Sequence, residues 1–244
     1  MSTKSKEIGG NLTFYESTTF ERVAPLAPVM FYDDFLGTDL NKDESGSNGI
    51  WTHIDVSSAG NTTPLIAADV ANGVARLPLD GGQSEAQESG LTFGNQRPFV
   101  LNQGLIFEAR VALQMLPTDV AEAVWGLAGD KNAVADTVAE GLWFKADGSG
   151  AILAETDDAS ENNDDKSTGT TLTATTFAIF RIDCRVITDI RFSINGDNVA
   201  TATTFDASNV ATLALQPYFH IAKASGSGVG VLDIDYVRVW QNRS

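Results

Sequence analysis

The sequence predicts an all-β protein: a jelly-roll sandwich of two antiparallel sheets, preceded by an extended N-terminal arm. From Met30 onward, short runs in which apolar and polar residues alternate follow one another, which is typical of half-buried strands. Turn residues separate these runs, and none of them has a helical period of useful length. About fourteen runs without a repeat period indicate two sheets packed face to face. We therefore divide the chain into an arm, residues 1–29, and a sandwich domain, residues 30–244.

The composition suits such a domain and argues against several classes of protein. The chain has 244 residues, of which 43% are hydrophobic, so a sizeable core is expected. It has no run of about 18 apolar residues, and its first ten residues lack the apolar stretch of a signal peptide, so we expect neither a transmembrane helix nor classical secretion. The formal net charge of -16 would repel a phosphate backbone, which argues against nucleic acid as a partner. Such acidity suits a soluble protein displayed in many copies.

The arm differs in composition from the rest of the chain. It mixes Ser, Thr and Gly with the isolated aromatic residues Phe14, Tyr15 and Phe20, and then contains Pro25 and Pro28. This pattern is typical of an extended segment, for which a flexible polar tail is the alternative. Three aromatic residues are more than a linker needs. We therefore predict that these five residues bind a neighbouring subunit or a partner protein.

The strands of the sandwich are predicted from the alternating runs. In chain order they are 30–35, 51–56, 65–70, 73–79, 89–94, 105–113, 123–129, 141–146, 151–156, 177–186, 190–196, 198–205, 213–223 and 230–240. Two of the turns are explicit, because Asp147-Gly148 and Asn195-Gly196 are pairs that tolerate positive φ in tight hairpins.

Strand 105–113 shows the alternation most clearly. Five apolar residues fall on one face, whereas Glu108 and Arg110 fall on the other, as in a half-buried antiparallel strand: Leu105, Phe107, Ala109, Val111 and Leu113. Strand 190–196 repeats the scheme with Ile190, Phe192 and Ile194 inward. The outward faces of the strands carry charges of both signs: Glu108, Arg110, Arg181, Asp183 and Arg185. We expect opposite charges on neighbouring strands to stabilise the sheet face rather than to bind a ligand.

The single cysteine, Cys184, cannot form an internal disulfide. It alternates with Phe180, Ile182 and Val186 on one strand face, and no histidine lies near it in sequence. We therefore predict a buried structural thiol rather than a nucleophile.

The C-terminal third carries a family resemblance. "FAIFRIDCRVITDIRFSINGDNVATATTF", "LALQPYFHIAK" and the closing "DYVRVW" follow one another there. Their order and spacing resemble the concanavalin A-like lectin/glucanase fold, particularly the laminarinase and lichenase group of glycoside hydrolases. Residues 31–52 resemble the family's opening strand and the loop that leads to a tryptophan, here Trp51. Residues 105–129 resemble the strand pair before its catalytic segment. The resemblance spans residues 30–241 and implies the sandwich rather than an activity.

The catalytic residues of that family are not found at the matching place. The family uses two Glu with an Asp between them on one strand, and retaining hydrolysis needs two carboxyl groups about 5–5.5 Å apart. Between Trp125 and Lys145, where the resemblance places this motif, the acidic residues have other spacings: Asp130, Asp136 and Glu140. We therefore expect no enzymatic activity.

The nearest imitation of the motif is Glu155, Asp157 and Glu161. Polar residues would then face the core at the alternate positions, and we expect residues 162–169 to form a loop. The sequence therefore argues against a catalytic strand here. The acidic residues 157–165 are interpreted as a solvated charge run, with calcium binding as the alternative.

Candidate ligand-binding residues are few. The resemblance implies that Asp235 could be a calcium ligand, and no other cofactor is expected. The two histidines, His53 and His220, do not have metal-ligand spacing. Trp125, Trp143 and Tyr218 could form a platform on which sugar rings stack, although large aromatic residues in strands commonly belong to a core or an interface.

Three functions remain open. The favoured one is a non-catalytic virion protein: a bacteriophage capsid decoration or cement (head accessory) protein that is made in the host cytoplasm. Its arm would bind the major capsid protein or another virion protein on the capsid surface. The alternatives are a carbohydrate-binding, lectin-like module that attaches to host glycans and, third, an active glycoside hydrolase. By analogy with jelly-rolls on local threefold axes we expect a homo-oligomer, a trimer. Neither nucleic acid nor a membrane is an expected partner.

Overall fold

The computed structural model describes residues 3–8, 11–16, 28–37, 39–40, 49–134, 137–158 and 162–243. These residues contain no α-helix and two single-turn 3-10 helices, Leu101–Gln103 and Ser208–Val210. No helix in the described ranges is long and apolar enough to cross a membrane.

Strands make up most of the described chain. They are β1 (Thr3–Ile8), β2 (Asn11–Glu16), β3 (Val29–Asp33), β4 (Thr52–Val56), β5 (Leu65–Ile66), β6 (Ala75–Pro78), β7 (Gln87–Thr92), β8 (Phe99–Val100), β9 (Ile106–Met115), β10 (Glu122–Ala128), β11 (Glu140–Asp147), β12 (Ala151–Asp158), β13 (Asn162–Thr171), β14 (Ala178–Asp183), β15 (Arg191–Ile194), β16 (Asp197–Val199), β17 (Ala214–Lys223) and β18 (Val231–Gln241).

Two large antiparallel sheets form the sandwich. The front sheet has the strand order β13-β12-β11-β10-β17-β7-β4, and β8 pairs with β17. The back sheet has the order β16-β15-β14-β9-β18-β6-β5, and β3 pairs with β18. The predicted all-β sandwich is therefore confirmed.

The main core lies between the two sheets. On β9 of the back sheet, the alternate residues Phe107, Ala109 and Val111 point into this core. On β10 of the front sheet, Trp125 and Leu127 point into the core from the opposite side. Burial of this apolar surface is the main source of stability in a fold of this kind.

Cys184 belongs to the same core and is fully buried, as predicted. Burial, and to a smaller extent the neighbouring charge of Asp183, raises the pKa of its thiol, which keeps the sulfur protonated and inert. Val186, which was expected on the same face, is exposed, because β14 ends at Asp183 and the chain turns away.

Each predicted strand range overlaps an observed strand, but 65–70 and 198–205 do so over only two residues, at β5 and β16. The prediction that residues 162–169 form a loop is wrong, because they belong to β13. In the described part of the chain, β13 pairs only with β12 and lies at the edge of the front sheet. Polar and charged residues are typical of such edge strands. They remove the alternation of apolar and polar residues from which a strand is predicted.

The arm contains a β-hairpin that the sequence analysis did not predict. β1 and β2 pair antiparallel, from Thr3 opposite Glu16 to Ile8 opposite Asn11. Phe14 and Tyr15 lie in β2, and Pro28 directly precedes β3, which begins one residue before the predicted domain boundary. Phe20 and Pro25 lie outside the described residues. The partner-binding role of these five residues stays a prediction.

Candidate functional site

The front face, which is the outer face of the front sheet, is the part of the sandwich where the resemblance places catalytic residues. On β11, Leu142, Phe144 and Ala146 point into the core, so the alternate residues belong to the front face: Gly141, Trp143, Lys145 and Asp147. Asp147, an exposed residue at the end of the strand, is the one carboxylic acid among these four. On this face β11 therefore does not carry the pair of carboxyl groups that retaining glycoside hydrolysis requires.

A second apolar cluster fills the centre of the front face. Its members come from four strands and one connection: Ile54, Val124, Ala128, Val138, Trp143, Tyr218 and Ala222. Val138 belongs to the connection between β10 and β11, which therefore covers this part of the sheet. The Trp143 and Tyr218 side chains are 0% exposed, and their ring centroids are 6.4 Å apart. Protein atoms occupy the place that an open groove would need.

The three predicted sugar-stacking residues do not form an exposed platform in this structure. Trp125 lies in the main core, where its ring contacts Phe180 edge-on with a centroid distance of 4.9 Å. Trp143 and Tyr218 lie beneath the covering connection and are equally buried. Alternation places Trp125 on the core side and Trp143 on the outer side, but a covered sheet buries both sides of its strands.

A buried chain of polar groups runs beside the aromatic cluster. The Tyr218 hydroxyl is 2.7 Å from His220 Nδ1, and His220 Nε2 is 3.3 Å from Glu88 Oε2. Lys131 Nζ lies 2.8 Å from the same carboxylate oxygen. This arrangement fits a neutral imidazole that accepts a hydrogen bond at Nδ1 and donates one from Nε2.

The protonation states of this chain follow from burial and charge. Burial lowers the pKa of His220, because a buried imidazolium loses its hydration, and the nearby Glu88 offsets only part of this effect. Burial alone would raise the pKa of Glu88, but hydrogen bonds and charges from His220 and Lys131 outweigh it and lower the pKa. Glu88 is therefore held as a carboxylate, which is unsuited to the general acid of a glycosidase.

An acidic pocket opens at the β12 side of the front face. Its volume is about 380 Å³, and its lining residues are Thr137, Val138, Ala139, Lys145, Glu155, Asp157, Asp164 and Asp165. Carboxylate oxygens of Glu155, Asp157 and Asp164 all lie within 4.8 Å of one another. Lys145 is 4% exposed, and its Nζ lies 3.6 Å from Glu155 Oε2 and also contacts Asp165. A buried ammonium needs such carboxylate partners, so charge balance for Lys145 accounts for part of this acidic cluster.

The sequence analysis predicted a strand up to Thr156 and argued against a catalytic one, because polar residues would occupy both of its faces; the structure extends this strand to Asp158 despite those polar residues. β12 carries the Glu155 and Asp157 side chains on the front face, opposite Trp143 and Gly141 of β11. The alternate residue Thr156 is polar and buried, and its hydroxyl accepts a hydrogen bond of 3.1 Å from the Asn163 amide of β13. The partner strand satisfies the buried hydroxyl, which sequence reasoning could not foresee. Glu161 lies outside the described residues.

Asp235 lies in β18 on the outer side of the back sheet and is nearly buried. The guanidinium group of Arg110 donates a hydrogen bond to its carboxylate. In this structure Arg110 neutralises the Asp235 carboxylate, and the role of Asp235 as a calcium ligand stays a prediction.

Solved structures of other proteins share the fold of this chain. No protein-family model matches its sequence, and a search of curated proteins finds no match. Among solved structures, an endo-1,3-β-glucanase from Streptomyces sioyaensis is similar, with a TM-score of 0.59 and 13% identity over 89% of this chain and 97% of that one. A β-1,3-glucanase from Mycobacterium marinum has a TM-score of 0.54 and 16% identity, over 89% of this chain and 100% of the other. The Emp46p carbohydrate recognition domain has a TM-score of 0.51 and 9% identity, over 88% of this chain and 100% of that domain.

At such low identities the likeness concerns the fold alone. The chain has the jelly-roll sandwich of the concanavalin A-like β-glucanases, which agrees with the fold that the C-terminal motifs implied.

Proposed function

We propose that this protein is a non-catalytic structural protein of a virion, a capsid decoration or cement protein that joins its shell through residues 1–29. The observation that supports a non-catalytic role is the filled front face. β11 presents Gly141, Trp143 and Lys145 there, with Asp147 as a single carboxylate at its end, and the apolar cluster around Trp143 and Tyr218 fills the centre of this face. A sandwich whose front face is filled at its centre remains a stable domain, and a stable domain is what display on a shell requires.

Charge and chain organisation support the virion part of the proposal. The net charge of -16 lets many copies remain soluble and separate on one surface. The segment before β3 is long enough to reach a neighbouring protein, and it carries Phe14, Tyr15 and Phe20 as apolar anchors. The partner would be the major capsid protein or another virion protein, and a homotrimer would match a local threefold axis.

The experiment is to quantify the protein by mass spectrometry in purified phage particles, relative to the major coat protein. We expect copy numbers comparable to coat. A variant lacking residues 1–28 should keep the folded sandwich, because β3 begins at Val29, and should be lost from particles. A chain that lacks only residues 243–244 is the matched control. Absence of the intact protein from particles would overturn the virion assignment, and unchanged incorporation of the shortened chain would overturn the role of the arm.

Carbohydrate binding is the second candidate, because the acidic pocket at β12 combines hydrogen-bond acceptors with the Lys145 ammonium. Hydroxyl groups of a sugar donate to carboxylates, and the structural neighbours include glucanases and a carbohydrate recognition domain. On a glycan array, Asp157→Asn and Asp164→Asn should then abolish retention, whereas Asp197→Asn on the back sheet should not. No retention of the unmodified protein would exclude this candidate.

Catalysis is tested separately with mixed β-glucans. We expect no release of reducing sugar. Release above background that disappears in Asp157→Asn would overturn the non-catalytic assignment.

A further inference from the structure

The back face, which is the outer face of the back sheet, carries an ordered set of arginine and aromatic side chains. The strand register places one row across β14, β9, β18 and β3: Arg181, Glu108, Arg238 and Tyr32. The next row consists of Asp183, Ile106, Trp240 and Met30.

Glu108 is the centre of this surface. Its carboxylate lies 2.6 Å from an Arg238 nitrogen and 3.8 Å from an Arg181 nitrogen. The Tyr236 hydroxyl donates a hydrogen bond of 2.9 Å to the same carboxylate. Burial, and then this hydrogen bond, raises the pKa of Tyr236 to about 12, so the hydroxyl stays a donor. Several side chains of the back face are thereby held in one arrangement.

Two arginines lie close to the ring of Trp240. The guanidinium carbons of Arg181 and Arg238 lie 5.5 Å and 5.2 Å from its ring centroid. Planar guanidinium groups that are already stacked and paired lose little freedom when a partner binds.

Large apolar side chains flank this set and are exposed. Met30 and Tyr32 of β3 are 67% and 56% exposed, and Ile179 of β14, at the other side of the face, is 37% exposed. Methionine, tyrosine, tryptophan and arginine are the residues that protein–protein interfaces favour over the rest of a protein surface. The back face therefore has the composition of an interface rather than of a solvated sheet.

The ion pairs of the back face balance one another in charge. Among the described residues, its ion pairs join six arginines to five carboxylates: Arg76, Arg110, Arg181, Arg185, Arg191 and Arg238 with Glu108, Asp183, Asp189, Asp233 and Asp235. These eleven paired groups are together close to neutral, whereas the whole chain has a charge of -16. Two copies that meet through their back faces bring these balanced groups together, and the contact therefore carries little net repulsion from them.

We infer that the back face is the surface through which copies of this chain associate. This surface is self-complementary, because it carries both carboxylates and guanidinium groups. The carboxylates of one copy can therefore pair with the guanidinium groups of the other. Such a contact between identical faces gives a twofold dimer, in place of the trimer suggested above by analogy. The inference holds whether or not the protein belongs to a virion.

The test is the mass of the full-length chain in solution, measured by light scattering and sedimentation equilibrium over a range of concentrations. Tyr32→Glu and Ile179→Glu each place a charge at one side of the back face and should weaken association at least tenfold. Val120→Glu is the matched control, because Val120 is 50% exposed in the connection between β9 and β10 and receives the same charge. We expect Val120→Glu to have the oligomer mass of the unmodified protein.

Two results would overturn the inference: an unmodified protein that is monomeric at every concentration, or an oligomer that neither back-face substitution weakens. Circular dichroism checks that the variants fold, as expected for exposed positions. Hydrogen exchange of the unmodified chain gives an independent reading. Amides of residues 29–33 and 178–183 should become more protected as concentration rises, and constant protection would also contradict the inference.

Discussion

The front and back faces arise from the same kind of strand and differ in what covers them. On the front face, Trp143 and Tyr218 lie under the connection between β10 and β11 and are wholly buried. On the back face, Trp240 and Tyr32 keep contact with solvent, and arginines flank Trp240. An outward aromatic residue in a strand thus has no fixed role, because its burial depends on the connection above it.

The ion pairs of the two faces also differ in how deeply they are buried. The front face buries the Lys145 side chain, which is 4% exposed, against the equally buried Glu155. The back face shares Glu108 among Arg181, Arg238 and Tyr236 at a surface that solvent reaches. Equivalent substitutions on the two faces should therefore have unequal costs.

The largest effect is expected for Trp143→Ala. It removes a fully buried ring and leaves a cavity, so the free energy of unfolding should fall by about 3–5 kcal/mol. Trp240→Ala, the matched change on the back face, removes a partly exposed ring and should cost about 1 kcal/mol. Urea denaturation of both variants measures the difference. Equal losses would mean that the connection does not seal the front face.

An intermediate effect is expected for Lys145→Met. The substitution leaves Glu155 buried without its ammonium partner, and the free energy of unfolding should fall by about 2–3 kcal/mol. Arg185→Met on the back face breaks a more exposed pair with Asp183 and should cost at most about 1 kcal/mol. If thermal denaturation gives the two variants the same loss, the Lys145 pair is not a buried one in solution.

The smallest effect is a pH dependence that depends on His220. Because the folded protein lowers the pKa of His220, the unfolded chain binds the proton more readily, and stability should decline as pH falls from 7 to 5. Removing the imidazole in His220→Gln should flatten this slope, whatever its effect on stability at pH 7. The measurement is the free energy of unfolding at several pH values. An unchanged slope in the variant would contradict the assignment.

Strand alternation made a large part of the fold predictable. The inward positions of β9, the burial of Cys184 and the cross-strand pairing of Glu108 with Arg181 all follow from a period of two residues along each strand. The closing segment "DYVRVW" likewise predicted the last strand of the back sheet, β18.

Other features gave no local signal. β13 is polar along its whole length, because it lies at a sheet edge, and its backbone pairing with β12 decides its structure. The acidic pocket depends on Lys145 and Glu155, which lie ten positions apart, meeting across two strands. The sequence shows each of the two residues but gives no indication that they contact each other, and the pocket depends on that contact.

The sequence by itself determined the all-β class, most strand positions and the alternation of core and outer residues, because these depend on neighbours along one strand. Only the tertiary structure decided that Trp143 and Tyr218 are covered, that Asp235 is paired with Arg110, and that the back face is exposed with balanced charge. The physical reason is that burial and ion pairing depend on which strand or connection, distant in sequence, lies above a residue. The local sequence pattern does not contain that information.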